Sequence, residues 1–305
     1  MALLGGCGPG PAQPVEPGAV PSEAASEAAP AGEPRAEETA RLQKQAREAL
    51  QRWDRAVEAA GGAPRFVPVG PLTGQIGDWE PALAANAKMS LGNGHLTIIG
   101  RLPVAPEARG EVVWEGGVRE TVPLLSAEDA LGRITAGWVE CPGCVPLEIT
   151  GARLGTTRVE TTRGPATVPA WEFTVKGSRV RITRPAAGGS GTVQVTPPSW
   201  DPYNSPAGLA ITSAGTTVGG RNLTAGFTGA PRDASEPCGI DYTAVAVEAD
   251  TAVVVYILER HHAEGESCTA IGHPRTASVE LAAPLGERAV LEVTQGLPVP
   301  VTITS

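Results

Sequence analysis

The stretch HHAEGESC sets His261, His262, Glu264, Glu266 and Cys268 close together, with His273 shortly after. Imidazoles and carboxylates so spaced are ligand types that could hold a metal ion. The same residues suit a polar hairpin loop closed by a cystine, and that reading is preferred. Cys141-Pro142-Gly143-Cys144 has the spacing of a thiol–disulfide redox pair. Such a pair normally opens a helix, whose N-terminus lowers the thiol pKa. Here Val139 and Val145-Pro146 flank it, which predicts strands and a structural bridge. GQIGDWE offers Asp78 and Glu80, on one side of an extended chain, as a carboxylate pair for hydrolysis. Glycoside cleavage needs a set separation between two such groups, whereas acidic surface loops are common. Trp79 and Trp200 lie in Gly/Pro-rich loops and are the candidates for stacking on a sugar or peptide; Trp53, Trp114 and Trp171 are expected in cores. No Walker loop, dinucleotide fingerprint, G-x-S-x-G, S-x-x-K or H-E-x-x-H occurs. No catalytic residue, metal or cofactor is assigned on this basis.

The chain has five cysteines. Leaving Cys7 aside, Cys141, Cys144, Cys238 and Cys268 form an even set, as expected of a disulfide framework in an exported protein. Pro142-Gly143 is ideal for the centre of a type II turn, and Cys238 and Cys268 each lie near a strand end. Local pairing, Cys141–Cys144 and Cys238–Cys268, is the expected connectivity.

The elements that hold these residues change character along the chain. Leu42, Ala46, Ala49, Leu50, Trp53, Val57 and Ala60 recur at helical spacing, with Arg41, Lys44, Glu48, Arg52 and Arg55 opposite and Gly61-Gly62 as the stop. The mixed charges favour a docking face over a membrane role. RFVPVG reads as a short strand, PALAANAKMSLGNG as a short helix, HLTIIGRL as a strand and GEVVWEGGVRETVPLL as a hairpin turning at Gly116-Gly117. Ser126 caps a helix over AEDALGRI. Residues 37–136 are therefore read as an α+β unit. Beyond Trp138 only short strand-like runs remain: VPLEITGARL, TRVETTR, ATVPAWEFTV, SRVRITR and GTVQVT, then LAITSAG and its successors after the joint TPPSWDPYNSPAG. The fold class expected is mainly β: a small N-terminal α+β unit followed by antiparallel β-sandwich-like structure, a β unit at 137–200 and a β-sandwich-like unit at 201–305, with the joint either separating two units or passing between sheets of one.

The first residues carry an address. Leu4-Gly5-Gly6-Cys7 has the form of a bacterial lipobox, which predicts lipidation of Cys7 and makes 1–7 the remnant of a signal. The charged start and apolar stretch of about 7–15 residues that a signal needs are missing, so the true start codon is expected upstream. Residues 8–36 are rich in Pro, Ala and Glu, with seven prolines in GPGPAQPVEPGAVPSEAASEAAPAGEPR. Such a stretch holds too little apolar surface to form a core and reads as a disordered spacer.

Glycine (38) and proline (29) are abundant, and the formal net charge of −9 without a basic cluster argues against nucleic acid as a partner. No apolar run is long enough to span a bilayer. FVPVGPLTGQIGDWE, TTRGPATVPAWEFTV, PCGIDYTAVAVE and ASVELAAPLGERAVLEVTQG resemble segments of uncharacterised actinobacterial cell-envelope lipoproteins, over most of residues 45–300. The resemblance implies export and anchoring to the outer face of the membrane, with no activity attached. The function expected is non-enzymatic binding or scaffolding, with a cell-wall or envelope component as partner. The alternative is an extracellular hydrolase using carboxylates such as Asp78 and Glu80.

Overall fold

The computed structural model describes residues 36–62, 66–104, 108–188, 192–199, 201 and 203–305. Cys7, the spacer up to residue 35 and Trp200 lie outside the described residues. The molecule is mainly β, with three helices among the described residues: α1 (Ala36–Ala59), α2 (Pro81–Gly92) and α3 (Ala127–Thr135). No helix among the described residues is long and apolar enough to cross a membrane.

One sheet gathers β1 (Pro68–Val69), β2 (Gly74–Ile76), β3 (Leu96–Ile98), β4 (Arg109–Trp114), β5 (Arg119–Pro123), β6 (Leu147–Thr161), β7 (Ala166–Val175) and β8 (Arg181–Pro185). Its local signals act as read. Gly117 takes a positive φ of 81° in the β4–β5 turn, and Ser126 Oγ accepts from the Asp129 amide at 3.0 Å to start α3. The boundary expected at 136 is crossed, because β4 pairs with β7. VPLEITGARL and TRVETTR, read as two runs, are one strand, β6. Its glycines stay extended, and at Gly155 a Cβ would fall on the Glu172 carboxylate. Glu172, buried on β7, receives Arg153 (2.8 Å) from β6 and Arg181 (2.7 Å) from β8, locking three strands across one face. GTVQVT forms no strand; it contributes only a bridge from Thr192 to Phe66.

The remaining strands build a two-sheet sandwich. Strands β9 (Ile211–Thr217), β10 (Asn222–Gly229), β13 (His273–Glu280) and β15 (Val301–Thr304) make one sheet, in the order β13-β10-β9-β15. Strands β11 (Ile240–Glu248), β12 (Ala252–His261) and β14 (Ala289–Glu292) make the other. Most pairs are antiparallel, but β14 runs parallel to β12 and β15 parallel to β9. The chain leaves each sheet after β12 and β13 and returns in the same direction.

Helix α1 packs mainly outside residues 37–136, with Val67 of that stretch also joining its core cluster. Its apolar stripe lies on the outer face of the three-stranded sheet, against Ala252, Val254, Tyr256, Leu291 and Val293. The opposite face of β12 sends Val253, Val255 and Ile257 into the sandwich core. A three-stranded sheet with apolar residues on both faces needs two covers, and α1 is the second. Trp53 is fully buried there, and its indole N–H donates to Thr251 Oγ1 at 3.0 Å. Trp53→Ala should lower the unfolding free energy by about 3–5 kcal/mol in urea titrations. A loss below about 1 kcal/mol would mean that α1 is a loosely attached appendage.

Candidate functional site

A cleft of about 1070 Å³ opens at one end of the sandwich. Strand periodicity explains its lining. Residues 253, 255 and 257 of β12 face the core, and continuing that step of two places Glu259 and His261 at the mouth between the sheets. His273 opens β13, and Thr228-Gly229 closes β10 beside them. Glu38, in the first turn of α1, completes the rim. The other wall is the loop from His262 to Gly272, tied to the start of β11 by the Cys238–Cys268 disulfide, whose Cα atoms are 5.6 Å apart.

This wall is braced from several sides. Cys238 is the one non-glycine described residue with positive φ (61°), and its amide donates to Glu266 Oε2 at 2.9 Å. His262 Nδ1 lies 3.0 Å from the Ala234 carbonyl oxygen, joining the wall to the neighbouring 230–239 loop. Arg275 holds Asp233 of that loop at 2.7 Å and sits over the Tyr242 ring. Asp241 accepts the Ala234 amide and pairs with Arg260; these contacts, the amide first, hold its carboxyl below the usual carboxylate range. Left-handed backbone at a bulky residue costs energy that the bridge and these bonds must offset.

The cleft is acidic. Glu38, Glu259, Glu264 and Glu266 line it against one arginine, Arg232, which is itself 3.9 Å from Glu236. Burial, then the charge of Glu38, pushes the Glu259 carboxyl above its ordinary range, partly offset by His261. Neither Glu38 nor Glu259 has an ion-pair partner among the described residues. The cleft thus offers carboxylates to a ligand bearing a cationic group.

The residues singled out earlier fare differently. Both expected disulfides are formed. Cys144 N–H donates to the Cys141 carbonyl at 3.1 Å, and Gly143 takes φ 86°, so CPGC is a closed turn. The one described cluster with metal-ligand spacing is Cys238, Glu266 and Cys268. Its two sulfurs are bonded to each other, which removes the thiolates a zinc ion would need. Asp78 is exposed, while Glu80 accepts Ser178 Oγ at 2.7 Å and the Arg179 amide at 3.1 Å. The Ser178 bond is the main reason its carboxyl lies below the usual range, and with the Arg179 amide it makes Glu80 a brace of this turn. Trp79, expected on a binding surface, is buried in the first core, with its indole donating to Gln75 Oε1 at 2.7 Å. Among the described residues the exposed tryptophan is Trp138, stacked on His95 at 5.4 Å. Sequence reasoning missed Glu259, although the alternation of TAVVVYILER marks it once the inward face of β12 is known. No family model, curated protein or solved structure gives a significant match to the chain.

Two predictions follow from this geometry. Non-reducing peptide mapping should recover both local bridges. Cys238→Ser with Cys268→Ser should cost about 3–4 kcal/mol, since that bridge closes the longer loop of the unfolded chain, against roughly 2 kcal/mol for the CPGC pair. The second concerns pH. A carboxyl whose folded pKa is raised favours the folded state below its unfolded pKa and loses that contribution as pH rises through the folded value. Ionised Glu259 is therefore a burden near neutrality. Glu259→Gln should raise the melting temperature near pH 7 and do little near pH 4. Equal effects at both pH values would remove the electrostatic explanation.

Proposed function

We propose that this protein is a non-enzymatic binding protein of the bacterial cell envelope, lipid-anchored through Cys7, whose acidic cleft takes a cationic group of an envelope component. The observation that carries the reading is the cleft itself: a disulfide-braced cavity in which Glu38 and Glu259 make no ion pair with any described residue. Two disulfides support export, because such bonds persist outside the reducing cytosol. The lipobox and the resemblance to actinobacterial envelope lipoproteins support anchoring.

A hydrolase reading has one observation in its favour. A carboxyl whose pKa burial raises in a cleft, as at Glu259, is shifted in the direction that a general acid needs. That moves the hydrolase candidate away from Asp78 and Glu80.

The full chain should bind isolated wall and membrane fractions. Glu38→Gln with Glu259→Gln, or salt near 0.5 M, should release most of it. Retention indifferent to both would overturn the cleft as the binding site. Turnover of a glycan or peptide that Glu259→Gln abolishes would replace binding by hydrolysis. In the bacterial host, Cys7→Ala should move the protein from the membrane fraction to the medium.

A further inference from the structure

A second cavity, about 410 Å³, lies where the first sheet meets the sandwich. Val69 of β1 and Ala187 beyond β8 line one side, Val193 and Val195 another, and Leu297-Pro298, just before β15, a third. These walls are aliphatic, yet two arginines line the same cavity. Arg184 comes from β8, and its Nη1 donates to Thr73 Oγ1 at 3.1 Å. Arg133 comes from the last turn of α3. Neither makes an ion pair with any described residue. Burial and the neighbouring Arg133 charge both pull the Arg184 pKa down, and a guanidinium stays charged even so. The carbonyls ending α3 favour a cation at Arg133, but they do not account for Arg184.

Two like charges beside apolar walls with no counter-ion are costly, since each loses water and gains only repulsion. A bound oxyanion reverses both terms. Guanidinium forks match the paired oxygens of a carboxylate or phosphate, and charge-assisted bonds of this kind are the strong ones. The aliphatic walls then take up a hydrocarbon body, in a volume within the usual range for small-molecule sites. Arg133 also lines an adjoining hollow of about 420 Å³ that Lys88 shares, which gives an anion a positive approach on an otherwise acidic protein. We propose that this cavity binds a small amphipathic oxyanion, a carboxylate or phosphate monoester with a short hydrocarbon body, held head-first by Arg184 and Arg133. This site is separate from the acidic cleft and stands or falls without it.

Isothermal titration of the full chain with octanoate, octyl phosphate, octanol, octylammonium and inorganic phosphate tests the assignment. Octanoate and octyl phosphate should bind at least about tenfold tighter than octanol, and octylammonium should not bind. Inorganic phosphate should bind at least about tenfold more weakly than octyl phosphate, because it lacks the body that the walls hold. Arg184→Gln should weaken both acids about tenfold or more, and Arg184→Lys, which keeps the charge and loses the fork, by less. The partly exposed Arg133→Gln should weaken binding several-fold, and it serves as the test if the Arg184 variants fail to fold. Octanol binding as tightly as octanoate, inorganic phosphate matching octyl phosphate, or an unchanged Kd in folded Arg184→Gln and Arg133→Gln would overturn the proposal. So would Arg184-dependent flotation with anionic phospholipid vesicles when neither soluble acid binds, which would assign the arginines to a membrane surface.

Discussion

Strand β12 is apolar on both faces, and most of the architecture follows from that. Ala252, Val254 and Tyr256 point one way and Val253, Val255 and Ile257 the other; all are buried. Leaving either row in water would forfeit roughly 1.5–3 kcal/mol for each large side chain. The four-stranded sheet covers one row, and α1 must cover the other. The N-terminal helix is thereby fixed to a sheet formed some two hundred residues later, as the Trp53–Thr251 bond illustrates. The first sheet is inserted between them in the sequence, and its outer strands meet the sandwich where residues 192–195 and 297–298 pass each other.

The first sheet answers to a different constraint. Strand β7 is central, paired to β4, β6 and β8. Its Glu172 is nearly buried and would be costly alone. Two arginines satisfy it, and Gly155 leaves room for it. Breaking such a group by removing one partner is more damaging than its net contribution suggests. Its value lies in register: a shift of β6 or β8 by one residue would separate the charges.

Charge in this molecule is consequently of two kinds. Glu172, Glu80 and Asp241 have their partners inside the fold and act as braces. Glu38 and Glu259 in the cleft, and Arg133 and Arg184 in the second cavity, make no ion pair with any described residue. Uncompensated charge in a partly desolvated hollow is a cost to stability, and ligand binding is the common use of such a cost.

Sequence alone determined what depends on near neighbours. The Gly116-Gly117 hairpin, the Ser126 cap, the CPGC turn, the stripe of α1 and the mainly β class are set within a few residues by φ preference, hydrogen bonding or periodicity, and they formed as read. The Cys238–Cys268 bridge was legible because both ends sit near strand ends in one unit. What sequence could not decide was which faces meet. The stripe of α1 shows that it docks, but only the doubly apolar β12 says where. GQIGDWE shows a tryptophan and two carboxylates, but only the fold buries Trp79 and turns Glu80 to Ser178. Glu259, Arg133 and Arg184 carry no local signal, because burial and the lack of an ion-pair partner are properties of tertiary packing, fixed by elements distant in the chain.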